Sequence, residues 1–260
     1  MKICRFIDPE TQRPRFGMLE DGAIYALEGE LSGENLSVVG AEPVAALEGA
    51  RLLAPVEPSK VVCVGRNYKE HAAELGNTMP SEPLLFLKAP SAIVGHGDTI
   101  VLPGQSERVE HEGELAVVIG RKCRAVAEGE DPLSYVLGYT CVNDVTARDL
   151  QRKDVQFTRA KSFDTFCPVG PYIVTGLDPT DLLVETRVNG DVRQSGRTSA
   201  MAFPVPFLIR YISAVMTLNP GDLIATGTPA GVGPLLDGDT VEVSVEGVGT
   251  LGNQVKSLRE

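Results

Sequence analysis

His111-Glu112-Gly113-Glu114-Leu115-Ala116-Val117-Val118-Ile119 is an apolar run that opens on two carboxylates one residue apart. A strand points alternate side chains to one face, so Glu112 and Glu114 project together. The rest of the run reads as core, and burying two like charges side by side is unfavourable unless a cation neutralises them. A metal ion is therefore expected here. The competing reading is a solvated edge strand with its polar face outward; small Ala116 and Val118 on the same face weaken it. A third carboxylate, Asp144, closes the apolar stretch Tyr139-Thr140-Cys141-Val142-Asn143. Taken alone it either joins the pair or caps the next helix. Three carboxylates without His or Cys favour a hard cation, Mg²⁺ or Mn²⁺, and leave coordination positions open to water or substrate.

Working outward, the pattern from residue 84 onward is mainly short strands joined by turns. Asn189-Gly190 supplies the strongest hairpin signal. Good helix formers over Tyr68–Leu75, closed by Gly76-Asn77, predict a short helix. A second helix is expected after Asp144 through about Lys153. A third is expected from about Val205 to Thr217, where Phe207, Leu208, Tyr211, Ile212 and Val215 recur with helical spacing. Short alternating runs before residue 55, then two prolines in Leu53-Ala54-Pro55-Val56-Glu57-Pro58-Ser59, divide the chain into a small β-rich N-terminal domain (1–55) and a larger domain (56–260). The expected fold class is β-rich α+β.

The bulk properties exclude some partners. Thirty-five acidic against 24 basic residues, a net charge of -11, argue against nucleic acid held by phosphate contacts. An anionic substrate must then find local positive charge rather than the field of the whole protein. No segment approaches the roughly 20 apolar residues of a membrane span, and a cytoplasmic location is expected. Five scattered cysteines lack the spacing of a zinc site or a disulfide scaffold and read as buried thiols.

Other residues have two readings each. His71 and Glu74 share a face of the predicted helix and form either a carboxylate-oriented imidazole suited to general base work or an ordinary surface pair. Lys161 is either a cation for a developing oxyanion or a surface lysine in a loop. The segment Ala225-Thr226-Gly227-Thr228-Pro229-Ala230-Gly231-Val232-Gly233 lacks the Lys-Ser/Thr ending of a P-loop. Its glycines permit close backbone approach to a carboxylate, with the Thr228 hydroxyl as a donor, or simply make a turn.

Together Val64-Gly65-Arg66-Asn67-Tyr68, Phe86-Leu87-Lys88, His111-Glu112-Gly113-Glu114-Leu115, Asn143-Asp144-Val145-Thr146-Ala147-Arg148-Asp149, Ala160-Lys161-Ser162-Phe163 and Gly227-Thr228-Pro229-Ala230-Gly231-Val232-Gly233 resemble the fumarylacetoacetate hydrolase family over about residues 60–256. The likeness is to its short members, the acylpyruvases, oxaloacetate decarboxylases or tautomerases, and 2-hydroxyhepta-2,4-diene-1,7-dioate isomerases. The resemblance implies a rolled mixed β-sheet catalytic core, a homodimer, and Mg²⁺ or Mn²⁺ on Glu112, Glu114 and Asp144. It implies His71 and Glu74 on a lid helix that activates water, Lys161 and Gln151 lining the site, Thr228 gripping a carboxylate, and Arg66 as a further contact.

A small 2-oxo acid that chelates such a cation forms an enolate when a bond at the neighbouring carbon breaks. The expected reaction is carbon–carbon hydrolysis of an acylpyruvate-type substrate, with decarboxylation and tautomerisation or isomerisation as alternatives from the same enolate. A non-catalytic cation-binding module is the rival from another class.

Overall fold

The structure, a computed structural model, describes residues 1–31 and 36–258. Gly113–Ile119 is a strand buried along its whole length, and its period-two pattern divides two cores. Leu115, Val117 and Ile119 pack into one cluster with Val184, Val243, Leu251 and helix residues Leu208, Ile209 and Ile212. Ala116 and Val118 enter the other with Val61, Cys63, Val142 and Cys167. A strand covered on both faces is the opposite of a solvated edge, so that reading of the two glutamates fails.

Gly113–Ile119 lies inside a thirteen-stranded mixed sheet. It pairs antiparallel with Val136–Asn143 and with Leu223–Ala225, and Leu223–Ala225 in turn pairs parallel with Val61–Gly65. A five-stranded sheet of Thr99–Leu102, Leu183–Val188, Asp191–Arg197, Thr240–Val245 and Gly249–Ser257 packs on the first core. A small sheet joins Val109–His111 to Thr146–Ala147 and Gly233–Pro234. The β-rich α+β class is as expected. The N-terminal strand Lys2–Ile7 pairs with Cys167–Val174 through Lys2↔Val174 and Ile3↔Ile173, so the sheet is continuous across residue 55.

The helices are α1 (Lys69–Glu74), α2 (Arg148–Lys153), α3 (Thr158–Lys161) and α4 (Val205–Val215). The first and last match the sequence reading to within two residues. The second starts later than expected, because Thr146–Ala147 first pairs with Val109–Glu110 as a strand. Helix α3 was not expected. The predicted hairpin forms at Asn189-Gly190, both at positive φ (53° and 84°), as a type I′ turn requires. All five cysteines are free and buried. No helix among the described residues is long and apolar enough to cross a membrane.

Candidate metal and substrate site

Glu112 lies between the strands Val109–His111 and Gly113–Ile119, and Glu114 is on the second. The ladder continues past Asn143: the Asp144 N–H donates to the Glu112 carbonyl (2.8 Å) and the Glu112 N–H to Asn143 Oδ1 (2.9 Å). That register carries Asp144 beside the two glutamates. Gly113 between them is obligatory in this packing, because a Cβ there would lie 2.0 Å from Thr186 Oγ1. One carboxylate oxygen from each of Glu112, Glu114 and Asp144 lies within 4.8 Å of the other two, and all three residues are buried. The alternative role of Asp144 as a helix cap does not occur; the N-cap of α2 is Ala147, without a side-chain bond.

The trio is embedded in buried cations. Lys161 Nζ bridges Glu112 and Asp144 at 2.7 Å each, and Lys88 Nζ reaches the other oxygen of Asp144 at 2.6 Å. Arg148 bonds Glu112 through Nη2 and Glu110 through Nε (2.7 Å for the latter). Burial pushes the Glu112 carboxyl up, but Lys161, Arg148 and His71 outweigh it and hold the group well below the usual carboxylate range. Burial likewise opposes the charge on Lys161, yet Asp144 and Glu112 keep it above the ordinary lysine value. Lys161 is therefore a buried cation on α3, not a surface lysine in a loop.

Glu114 differs from its neighbours. It forms no ion pair among the described residues, and its hydrogen bond is from the Gly227 N–H at 2.7 Å. Burial first, then the charges of Asp144 and Glu112, raise its carboxyl well above the usual range. A buried carboxylate in no direct ion pair, beside two others, gives an all-oxygen donor set of the kind that suits a hard divalent ion. The residues present fit such an ion.

Arg66, His71, Glu112, Glu114, Asp144, Gln151, Lys161 and Thr228 all line one cavity of ≈ 240 Å³. Glu74 is the predicted site residue that stands outside its wall, behind His71, with Oε2 3.4 Å from His71 Nδ1 and both carboxylate oxygens accepting from the Gly231 N–H at 3.0 and 3.2 Å. Thr228 is placed by a different bond than expected. Its hydroxyl donates to the Gly113 carbonyl (2.8 Å) and accepts from Gln194 Nε2 (2.7 Å), so in this arrangement its proton is not free for a ligand carboxylate.

Lys88, Arg148, Arg152 and Gln194 are among the residues that escaped the sequence reading as site members. Lys88 and Arg148 stand in the quoted motifs but had no role, since nothing local marks a basic residue for burial against a carboxylate 56 or 36 positions away. Gln194 had no signal at all; it is a single buried position on an otherwise mostly exposed strand.

With this geometry in hand, the relatives are informative. Residues 60–256 match the family described as Fumarylacetoacetate (FAA) hydrolase C-terminal, and residues 1–55 match the Rv2993c-like N-terminal family. Protein Rv2993c of Mycobacterium tuberculosis is 56% identical over 212 residues, 80% of each chain. Oxaloacetate tautomerase YisK of Bacillus subtilis is 45% identical over 224 residues, covering 81% of this chain and 75% of that one. The crystal structure of 2-hydroxyhepta-2,4-diene-1,7-dioate isomerase from Mycobacterium marinum is 46% identical and superposes over the whole of both chains with a TM-score of 0.89.

Proposed function

The chain belongs to the fumarylacetoacetate hydrolase family, and on that premise we propose that it is a divalent-metal-dependent enzyme that moves protons on small 2-oxo acids. Keto–enol tautomerisation is its basic reaction, and hydrolysis of a carbon–carbon bond in acylpyruvate-type substrates extends it. The observation that carries this reading is the acidic trio at the wall of a small cavity, with Glu114 in no direct ion pair among the described residues. At ≈ 240 Å³ the cavity is below the roughly 300–1,000 Å³ of sites for drug-sized ligands and suits an acid of few carbons.

Glu112, Glu114 and Asp144 would hold Mg²⁺ or Mn²⁺, which would supply Lewis-acid stabilisation of a developing enolate. The chain's own groups do the rest. Lys161 and Arg148 hold Glu112 in its ionised form and fix its direction. His71 lines the cavity with Nδ1 turned to Glu74, which leaves Nε2 as the base for the proton on the carbon next to the 2-oxo group. Glu74, held in place by the Gly231 amide, steadies the imidazolium that results. Cleavage is the second reading, favoured by this same pair, because an oriented imidazole can take a proton from water instead. The names of relatives at about 45% identity support proton movement as the common step.

The test is metal-depleted protein resupplied with Mg²⁺ or Mn²⁺ and given enol-oxaloacetate and acetylpyruvate separately. Metal-dependent loss of the enol absorbance is expected, with pyruvate release from acetylpyruvate if the second reading holds. No turnover of any 2-oxo acid would leave the trio as a structural cation site.

A further inference from the structure

Glu110 precedes Glu112 at the spacing that separates Glu112 from Glu114, so three glutamates stand at alternate positions of one run. It is only 2% exposed, yet it belongs neither to the acidic trio nor to the cavity wall. Its carboxylate oxygens go to two guanidinium groups: Oε1 accepts from Arg108 Nε at 2.5 Å and Oε2 from Arg148 Nε at 2.7 Å. The Arg108 side chain is 52% exposed, whereas that of Arg148 is buried. Register sets the contact. Glu110 pairs with Thr146, and the Arg148 N–H donates to the Arg108 carbonyl at 2.7 Å.

The hold of Glu110 on Arg148 limits what Arg148 can do to Glu112. A guanidinium facing one carboxylate favours two parallel N–H···O bonds. Here the fork is divided: Nε is on Glu110, Nη1 is on Gln151 Oε1 at 2.5 Å, and Nη2 alone reaches Glu112 Oε1. Lys161 takes one bond on Glu112 Oε2 at 2.7 Å. A carboxylate has about four lone-pair positions, so Glu112 keeps acceptor capacity for a cation. A second bond from Arg148 would take part of it.

The charges of the cluster add a second reason. Among the described residues every buried Lys and Arg stands here, as Lys88, Arg148 and Lys161. With the trio ionised, as ligation requires, these three cations match it charge for charge. Glu110 is a fourth buried carboxylate, and it leaves the cluster one unit negative. A dication and a monoanionic 2-oxo acid then bring it to neutrality, whereas without Glu110 a buried positive charge would remain uncompensated.

We propose that Glu110 is a positioning residue for the divalent ion: it keeps Arg148 to a single bond on Glu112 and supplies the negative charge that balances it. The inference rests on the metal site of the proposed function and adds to it a residue that neither ligates the ion nor touches substrate.

The experiment measures Mn²⁺ binding to the metal-depleted full-length protein by calorimetry, without substrate, with the thermal midpoint recorded beside it. The variants are Glu110→Gln, Glu110→Asp and the double variant Glu110→Gln/Arg148→Gln. Glu110→Gln frees Arg148 and removes the balancing charge, so affinity should fall by about 10–100-fold. Glu110→Asp keeps the charge and should lie between the wild type and Glu110→Gln. The double variant removes one charge of each sign together with the competitor for Glu112, which Lys161 still holds. It should bind Mn²⁺ within about threefold of the wild type, although its midpoint falls. A residue that merely props the fold gives the reverse order, with the double variant weakest. Unchanged affinity in Glu110→Gln, or a double variant that binds no better than it, overturns the role of Glu110 and leaves the metal site standing. If Glu110→Gln does not fold, the double variant decides, and affinity about tenfold or more below the wild type overturns the role. Absence of Mn²⁺ binding by the wild type overturns the metal site and this inference together.

Discussion

Glu112, Glu114 and Asp144 sit on or beside two central strands, whereas His71, Gln151 and Arg152 sit on helices of six residues each. The two sides of the cavity are fixed by different physics. On the strand side, position follows from sheet register and from packing on both faces, and a one-residue slip would turn every side chain the wrong way. A six-residue helix is too short to be stable alone, so α1 holds its place only through contacts such as Glu74 with Gly231. The strand side suits a group that must not move, and the helical side suits groups that meet a substrate.

The largest expected effect comes from Glu114→Ala, which attacks the strand side. It removes a proposed metal ligand and, in the ion-free protein, a buried carboxyl group that burial and the charges of Asp144 and Glu112 disfavour in its ionised form. Metal stoichiometry should fall to near zero and turnover by about a thousandfold or more, a loss on the scale of removing a main electrostatic stabiliser. The thermal midpoint without metal should hold or rise. Full activity with unchanged metal content would remove the trio from the account.

His71→Ala attacks the helical side and should separate the two. Loss of a general base lowers turnover by about 10²–10⁴-fold, while metal binding and the thermal midpoint stay close to wild type, because His71 touches no residue of the strands through a hydrogen bond. Steady-state kinetics beside metal analysis decides it. A variant that also loses its metal would mean that the two sides are one unit and the contrast is false.

The same division governs what could be read from the residues. Glu112 and Glu114 were legible because like charges in an apolar, period-two run are anomalous at the level of local sequence, whereas Asp144 taken alone read equally well as a helix cap. The hairpin at Asn189-Gly190 was legible for a similar reason, since its φ values admit few residue types. Lys88 was not, because its burial is decided by Asp144, 56 residues away. The delayed start of α2 was hidden too, since pairing of Thr146–Ala147 with Val109–Glu110 is a tertiary event that overrides a helix-compatible stretch. Lys161 could be named as a candidate, but its short helix α3 has no periodicity long enough to detect.

Gln194 is where the contrast can be sharpened most finely, because it joins the two sides. Its Oε1 accepts from the Gly113 N–H at 2.9 Å and lies 3.1 Å from His111 Nδ1, while Nε2 donates to Thr228 Oγ1 and the Pro229 carbonyl at 2.7 Å each. Gly113 separates the two glutamates, and Thr228-Pro229 lead to Gly231, whose amide holds Glu74. Gln194→Ala leaves several buried groups unpaired, at about 1–3 kcal/mol, so the thermal midpoint should fall by several degrees. If the amide also sets the distance between the two sides, kcat should drop by about tenfold with metal content unchanged. A drop in midpoint alone, with kcat and KM as in the wild type, would mean that the strand side and the helical side keep their spacing without it, and that Gln194 serves the fold rather than the chemistry.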